Sequence, residues 1–178
     1  MTAMFEIKPM NPELYRRQTR RSTLTIILTF VPLAMLLSGL LVLLFGTPGG
    51  DNFRWNLGGV VGGLLLTVLL VRKLYWSQPW MAAAVYGWQL KRSLMSVTNV
   101  MHHVESGVAA GRPEALRLLR FYHLGLTQMH QLDGNSSGLS QMVREIDAHR
   151  ARMQALGMDT EQTRLDPAWL EAVRRVDG

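Results

Sequence analysis

Two long apolar runs dominate the first half of the chain: residues 24–45 and 55–71 contain no Asp, Glu, Lys, Arg or His. At about 1.5 Å per helical residue they reach roughly 33 and 25 Å, against a hydrocarbon core of about 30 Å. Backbone N–H and C=O groups find no water in lipid, so each run is predicted to be a membrane-spanning helix. The polar, glycine-rich residues 46–54 then form the turn of a hairpin outside the core. A secretory signal is the competing reading of the first run. It fits poorly, because such signals carry an apolar stretch of roughly 7 to 15 residues and a small-x-small cleavage pattern, which does not follow Phe45.

Beyond residue 76 the apolar positions change to alternating three- and four-residue steps. Ser77 and Pro79 open a helix whose seam reads Trp80, Ala83, Gly87, Leu90, Leu94, Val97, Met101, Val104 and Val108, with Gly111 and Pro113 ending it. This heptad-like spacing predicts coiled-coil-like packing over one long helix. A second seam runs through Ala115, Leu118, Tyr122, Gly125, Met129 and Leu132, widened by Leu116, Leu119 and Leu126. Residues 133–138 form a turn. A third seam follows at Leu139, Met142, Ile146, His149, Met153 and Leu156, and Gly157 stops it. After Asp166-Pro167, Trp169, Leu170, Val173 and Val176 are the docking face of a short last helix.

Short connections make neighbouring helices antiparallel. The predicted fold is therefore all-α: a basic N-terminal segment (residues 1–23), a two-helix transmembrane hairpin (24–76, spans about 24–45 and 55–74), and a cytoplasmic antiparallel three-helix bundle with a short C-terminal helix (77–178). Small seam residues such as Ala83, Gly87, Ala115 and Gly125 bury little area each, so self-association through the first seam is one expectation. Use of that seam by the other helices of the same chain is the other.

Charge orients the hairpin. Residues 1–104 carry ten Lys/Arg and three Asp/Glu, whereas residues 105–178 carry nine and ten. The net charge of +6 thus belongs to the membrane half, and no basic stripe with interleaved aromatics marks a nucleic-acid surface. Lys8, Arg16, Arg17, Arg20 and Arg21 precede the first span, and Arg72, Lys73, Lys91 and Arg92 follow the second. The loop offers Arg54 against Asp51, so positive-inside bias places both termini in the cytoplasm. Trp55 at one end and Tyr75, Trp76 and Trp80 at the other suit the membrane interfaces. With no cysteine, the chain lacks disulfides, thiolate metal sites and a cysteine nucleophile.

Gly58, Gly59, Gly62 and Gly63 form overlapping small-xxx-small pairs on the second span, and Ala34 and Ser38 repeat that spacing on the first. They predict close helix approach, within one hairpin or against a second copy. His102, His123 and His149 fall on neighbouring layers of the predicted bundle and are the metal candidates, although no Glu-x-x-His or His-Glu-x-x-His pattern accompanies them. Histidines bonded to backbone explain the pattern equally well. The glycine-rich run at 58–63 lies in lipid without a following Lys-Ser/Thr, and no Gly-x-Ser-x-Gly elbow exists. No active site, catalytic residue or cofactor is expected. The lipid bilayer and a protein partner, a second copy included, are the expected partners.

The chain resembles a bacterial family known as domain of unknown function 3087. The residues that carry the resemblance are Leu44-Phe45-Gly46 and Asn52-Phe53-Arg54-Trp55-Asn56-Leu57-Gly58, then Val85-Tyr86-Gly87-Trp88-Gln89-Leu90-Lys91, and finally Leu119-Arg120-Phe121-Tyr122-His123 with Gln131-Leu132-Asp133-Gly134-Asn135. The resemblance implies a small two-span protein of a bacterial inner membrane and a non-enzymatic role. Within these stretches Tyr86, Trp88, Phe121 and Tyr122 are the aromatic candidates for protein contact, with bundle packing as the rival use. The expected function is a membrane-anchored scaffold or accessory subunit. A small-ligand or metal-responsive sensor is the alternative.

Overall fold

In the computed structural model residues 5–175 are described, the side chains of Ser136, Leu139 and Gln141 excepted. The seam position Leu139 and the docking position Val176 thus lie outside what is described. Among the described residues the chain is helical without strands: α1 (Pro12–Phe45), α2 (Phe53–Leu70), α3 (Ala82–Thr98), α4 (Met101–Ala109), α5 (Pro113–Asp133), α6 (Ser136–Ala155) and α7 (Pro167–Arg174). A π-helical turn, Val71–Tyr75, prolongs α2, and a 3-10 turn, Pro79–Met81, leads into α3. The chain divides into two compact units, one of Met1–Arg16 with Tyr86–Gly178, the other Arg17–Val85.

Unit Arg17–Val85 holds the two apolar helices. Both are long and apolar enough to cross a membrane, α1 over Pro12–Phe45 and α2 with its π turn over Phe53–Tyr75. α1 starts earlier than the apolar run because Asn11 caps it: its Oδ1 accepts the N–H groups of Glu13 and Leu14 at 2.9 and 3.1 Å, and Pro12 takes the first helical position. The helix continues through Pro32. Between the helices, Asn52 ties the loop, accepting the Thr47 N–H at 2.9 Å and donating to the Thr47 carbonyl at 3.1 Å. Only 6% of the most apolar window of the first helix and 17% of that of the second is buried. A core helix of a water-soluble protein buries such a face, whereas here Leu28, Met35, Leu36, Leu43 and Leu65 are all more than 60% exposed.

The other unit builds a core from Val97, Val100, Val104, Ala115, Leu118, Leu119, Phe121, Leu165 and Val173. α5 is its axis, packing against α4, α6 and α7, and α4 also meets α7. Antiparallel neighbours follow from short turns: Gly111 at φ +72° precedes Pro113, and Gly134 at φ +72° ends α5 in the left-handed conformation. There the Asn135 N–H reaches back to the His130 carbonyl at 2.9 Å. Asn135 then caps α6 through Gly138, and Asp166 caps α7 through Ala168.

Two features depart from the sequence expectation. The long helix predicted to reach Gly111 is broken at Asn99 and Val100, where Val100 takes φ −122° and ψ 18°. Ser96 and Thr98 there turn their hydroxyls onto the carbonyls of Ser93 and Leu94, and β-branched Val97, Thr98 and Val100 crowd the last turn. The seam survives the break, since Leu90, Leu94, Val97 and Val104 are all buried. The N-terminal segment, read from the sequence only as a basic stretch ahead of the hairpin, also packs onto the bundle. Ile7 donates to the Thr163 carbonyl at 2.8 Å, Leu165 donates to the Phe5 carbonyl at 2.9 Å, and Arg164 pairs with Glu6 at 2.9 Å.

Candidate functional site

Helix pairing within the hairpin is decided by two of its four central glycines. A Cβ placed at Gly63 would stand 2.7 Å from Ala34 Cα, and one at Gly59 would overlap the Ser38 backbone. No side chain fits there, so α1 and α2 meet backbone to backbone. At Gly58 and Gly62 the nearest atoms are Leu41 Cδ1 at 3.4 Å and Leu37 Cδ1 at 3.5 Å, which is ordinary contact. The Ser38 hydroxyl donates to the Asn56 carbonyl across the seam at 2.9 Å. Aromatic pairs close both ends: Phe45 stacks on Trp55 at 5.1 Å, and Tyr75 meets Trp80 edge-on at 5.2 Å.

In the helical unit the aromatic candidates separate by burial. Phe121 is fully buried and Tyr86 nearly so, both against Phe5 of the N-terminal segment. The Tyr86 hydroxyl accepts the Lys8 N–H at 3.0 Å and donates to Gln128 Oε1, and Gln128 Nε2 donates to the Lys8 carbonyl. These three residues lock the N-terminal strap across α3 and α5. The Tyr86 hydroxyl is held above its ordinary pKa, chiefly by burial. Tyr122 is partly buried against the core. Of the four, Trp88 is the one that stays exposed, at 47%, with the Arg92 guanidinium 5.0 Å above its ring.

Two of the three candidate histidines come together. His123 on α5 and His149 on α6 stand ring to ring at 5.3 Å in an edge-on arrangement, and both are buried. His149 Nε2 lies 3.0 Å from the Leu116 carbonyl, so it carries the proton and donates. Among the described residues His123 Nδ1 has no hydrogen-bond partner, while Nε2 faces the Glu145 carboxylate at 3.9 Å. Burial, then His149 and Arg120, lower the His123 pKa from 6.5 to about 4, and burial first lowers His149 too.

His102 is not part of this pair. It lies exposed on α4, 5.7 Å from the ring of His103, because the break at residues 99–100 shifts the layer in which a continuous helix would have set it. Among the described residues no group of three His, Cys, Asp or Glu is placed to hold a metal ion.

Arg120, absent from the candidate residues, completes the polar interior. It is 4% exposed, and its Nε donates to the Thr160 carbonyl at 2.8 Å, fastening the segment after α6 to α5. Its signal in the sequence was positional: Leu116, Arg120 and His123 follow the i, i+4, i+7 steps of an inward stripe.

Nothing among curated proteins or solved structures matches the chain. A family model described as Protein of unknown function (DUF3087) matches residues 5–170, which takes in the strap, the hairpin, the Tyr86 lock and the histidine pair. The chain belongs to the DUF3087 family.

Proposed function

We propose that this chain is a non-enzymatic, membrane-anchored helical interaction module, a scaffold or accessory subunit of a complex in a bacterial inner membrane, with both termini cytoplasmic. The observation that carries the reading is the contrast between its units. Arg17–Val85 turns apolar side chains outward along both helices, a surface that is stable in lipid and costly in water. The helical unit buries its own apolar seams. Basic residues before α1 and after α2, against a loop with Arg54 and Asp51, support the cytoplasmic placement of both ends. On α3, Trp88, Arg92 and Met95 follow i, i+4, i+7 spacing, and Trp88 and Met95 are 47% and 62% exposed. An aromatic ring beside a guanidinium is the kind of anchor that dominates protein contacts.

Cross-linking in native membranes followed by affinity capture tests this. A companion protein recovered with the wild-type chain, and at least about ten-fold depleted by Trp88→Ala with Met95→Ala, is the expected result; a loss of about 1.4 kcal/mol of contact energy suffices. A chain that captures nothing and is monomeric in nanodiscs overturns the scaffold. The alternative of a metal-responsive sensor rests on the His123–His149 pair. Stoichiometric metal in the purified protein, lost in His123→Ala and His149→Ala, would favour it.

A further inference from the structure

Alongside the glycine seam, the hairpin leaves a groove of about 340 Å³ between α1 and α2, near the end of α2 where the π turn begins. α1 supplies Ile26, Ile27 and Phe30 to its wall, and α2 supplies Leu64 and Val68 before ending at Arg72. The wall exposes no polar atom. Thr67 lines it as well, but its hydroxyl is turned onto the Gly63 carbonyl at 2.7 Å and is spent there. Arg72 therefore contributes its aliphatic stem, and its guanidinium lies beyond the apolar surface.

That guanidinium has no hydrogen-bond or ion-pair partner among the described residues, and the hairpin has no carboxylate to offer it. Residues 17–85 contain one acidic side chain, Asp51, in the loop at the opposite end of both helices. Lys73 follows Arg72, and Arg20 and Arg21 lie on α1 just before the apolar run. An apolar slot of this size, within the range of about 300–1,000 Å³ usual for ligand sites, thus ends at Arg72, a cation without a counter-charge among the described residues.

We propose that the groove is a binding site for an anionic phospholipid of the bilayer: one acyl chain lies against Ile27, Phe30, Leu64 and Val68, and the headgroup phosphate pairs with Arg72. A zwitterionic lipid supplies the same chain with no net negative charge for the basic rim, so the site discriminates by headgroup. Each Lys or Arg near a membrane surface is worth about 1 kcal/mol toward an anionic lipid, which converts to about five-fold in preference. The proposal rests on the membrane placement of the hairpin.

Native mass spectrometry of the full chain, released from micelles containing equal phosphatidylglycerol and phosphatidylcholine of identical acyl chains, tests it. The wild type is expected to retain phosphatidylglycerol over phosphatidylcholine by about five-fold or more. Arg72→Gln, at an exposed position, should remove about five-fold of that preference, Arg72→Lys should keep most of it, and Arg17→Gln, away from the groove wall, should leave it unchanged. Val68→Trp fills the slot and should lose the retained lipid. Equal preference in the wild type, or equal effects of Arg72→Gln and Arg17→Gln, overturns the site in favour of a diffuse basic rim. Resistance of the chain to alkaline carbonate extraction reads membrane placement separately, so that reading survives if lipid selectivity alone is missing.

Discussion

Four glycines of one composition divide into two roles because a helix presents only one line of its surface to a neighbour. Gly59 and Gly63 sit on that line, and Gly58 and Gly62 lie one step to its side. Gly59→Ala and Gly63→Ala should each lower the thermal unfolding midpoint of the detergent-solubilised protein, at an overpacking cost of about 1–3 kcal/mol, while Gly58→Ala and Gly62→Ala should match the wild type. Circular dichroism melts check this, and equal effects at all four positions would contradict the seam. The histidine pair makes a second prediction at this scale. His123 titrates near 6.5 in an unfolded chain and near 4 when folded, so the unfolded state binds the extra proton first. Stability is then complete above about pH 6.5 and falls as pH drops toward 4, by about 3 kcal/mol in total. Arg120 on α5 and Arg152 on α6 oppose protonation of the pair, and Glu145 partly offsets them. His123→Phe should flatten the loss of midpoint between pH 7 and 4.5 at little cost at pH 7, because Nδ1 has no partner to lose. An unchanged pH slope would refute it.

At the scale of elements, the apolar spacing along α5 was legible because its inward stripe is long and its ends are marked by Pro113 and Gly134. The break between α3 and α4 was not. No proline or glycine signals it, and the a/d spacing continues unbroken across it, so periodicity alone reads one helix. The early start of α1 was written in Asn11-Pro12 but hidden by the polar composition of residues 12–23, which carries no membrane signal. The strap at residues 5–8 depends on partners 78 and 120 positions away, a pairing beyond the reach of local pattern. Tyr86→Phe removes the hydroxyl that serves Lys8 and Gln128 together and leaves polar groups underpaired at about 1–3 kcal/mol. Hydrogen exchange should quicken at Lys8 and at Ile7, whose N–H bonds the Thr163 carbonyl, while amides within α5 keep their protection. Strap amides that exchange as in the wild type would show that the lock does not hold them.

For the whole molecule, the membrane reading proposed above for the two outward-facing apolar helices, with its positive-inside bias, predicts N- and C-terminal parts on the same side of a bilayer. A fluorescent reporter that folds only in the cytoplasm, fused after Gly178, should light up, and an alkaline phosphatase fusion in the 46–52 loop should be active outside; the reverse pattern would invert the topology. Helical class, the hairpin, its turn and its charge bias needed no tertiary information, because lipid imposes length and apolarity residue by residue and those are properties of local sequence. Which glycines touch, which aromatics are interior, which histidines meet and where Arg120 hides were settled by packing between segments far apart in the chain. Tyr86 and Phe121 read alike as contact anchors or core, since an aromatic side chain suits either. Only the N-terminal strap laid over them decided for the core, because burial belongs to the assembled surface and not to the residue.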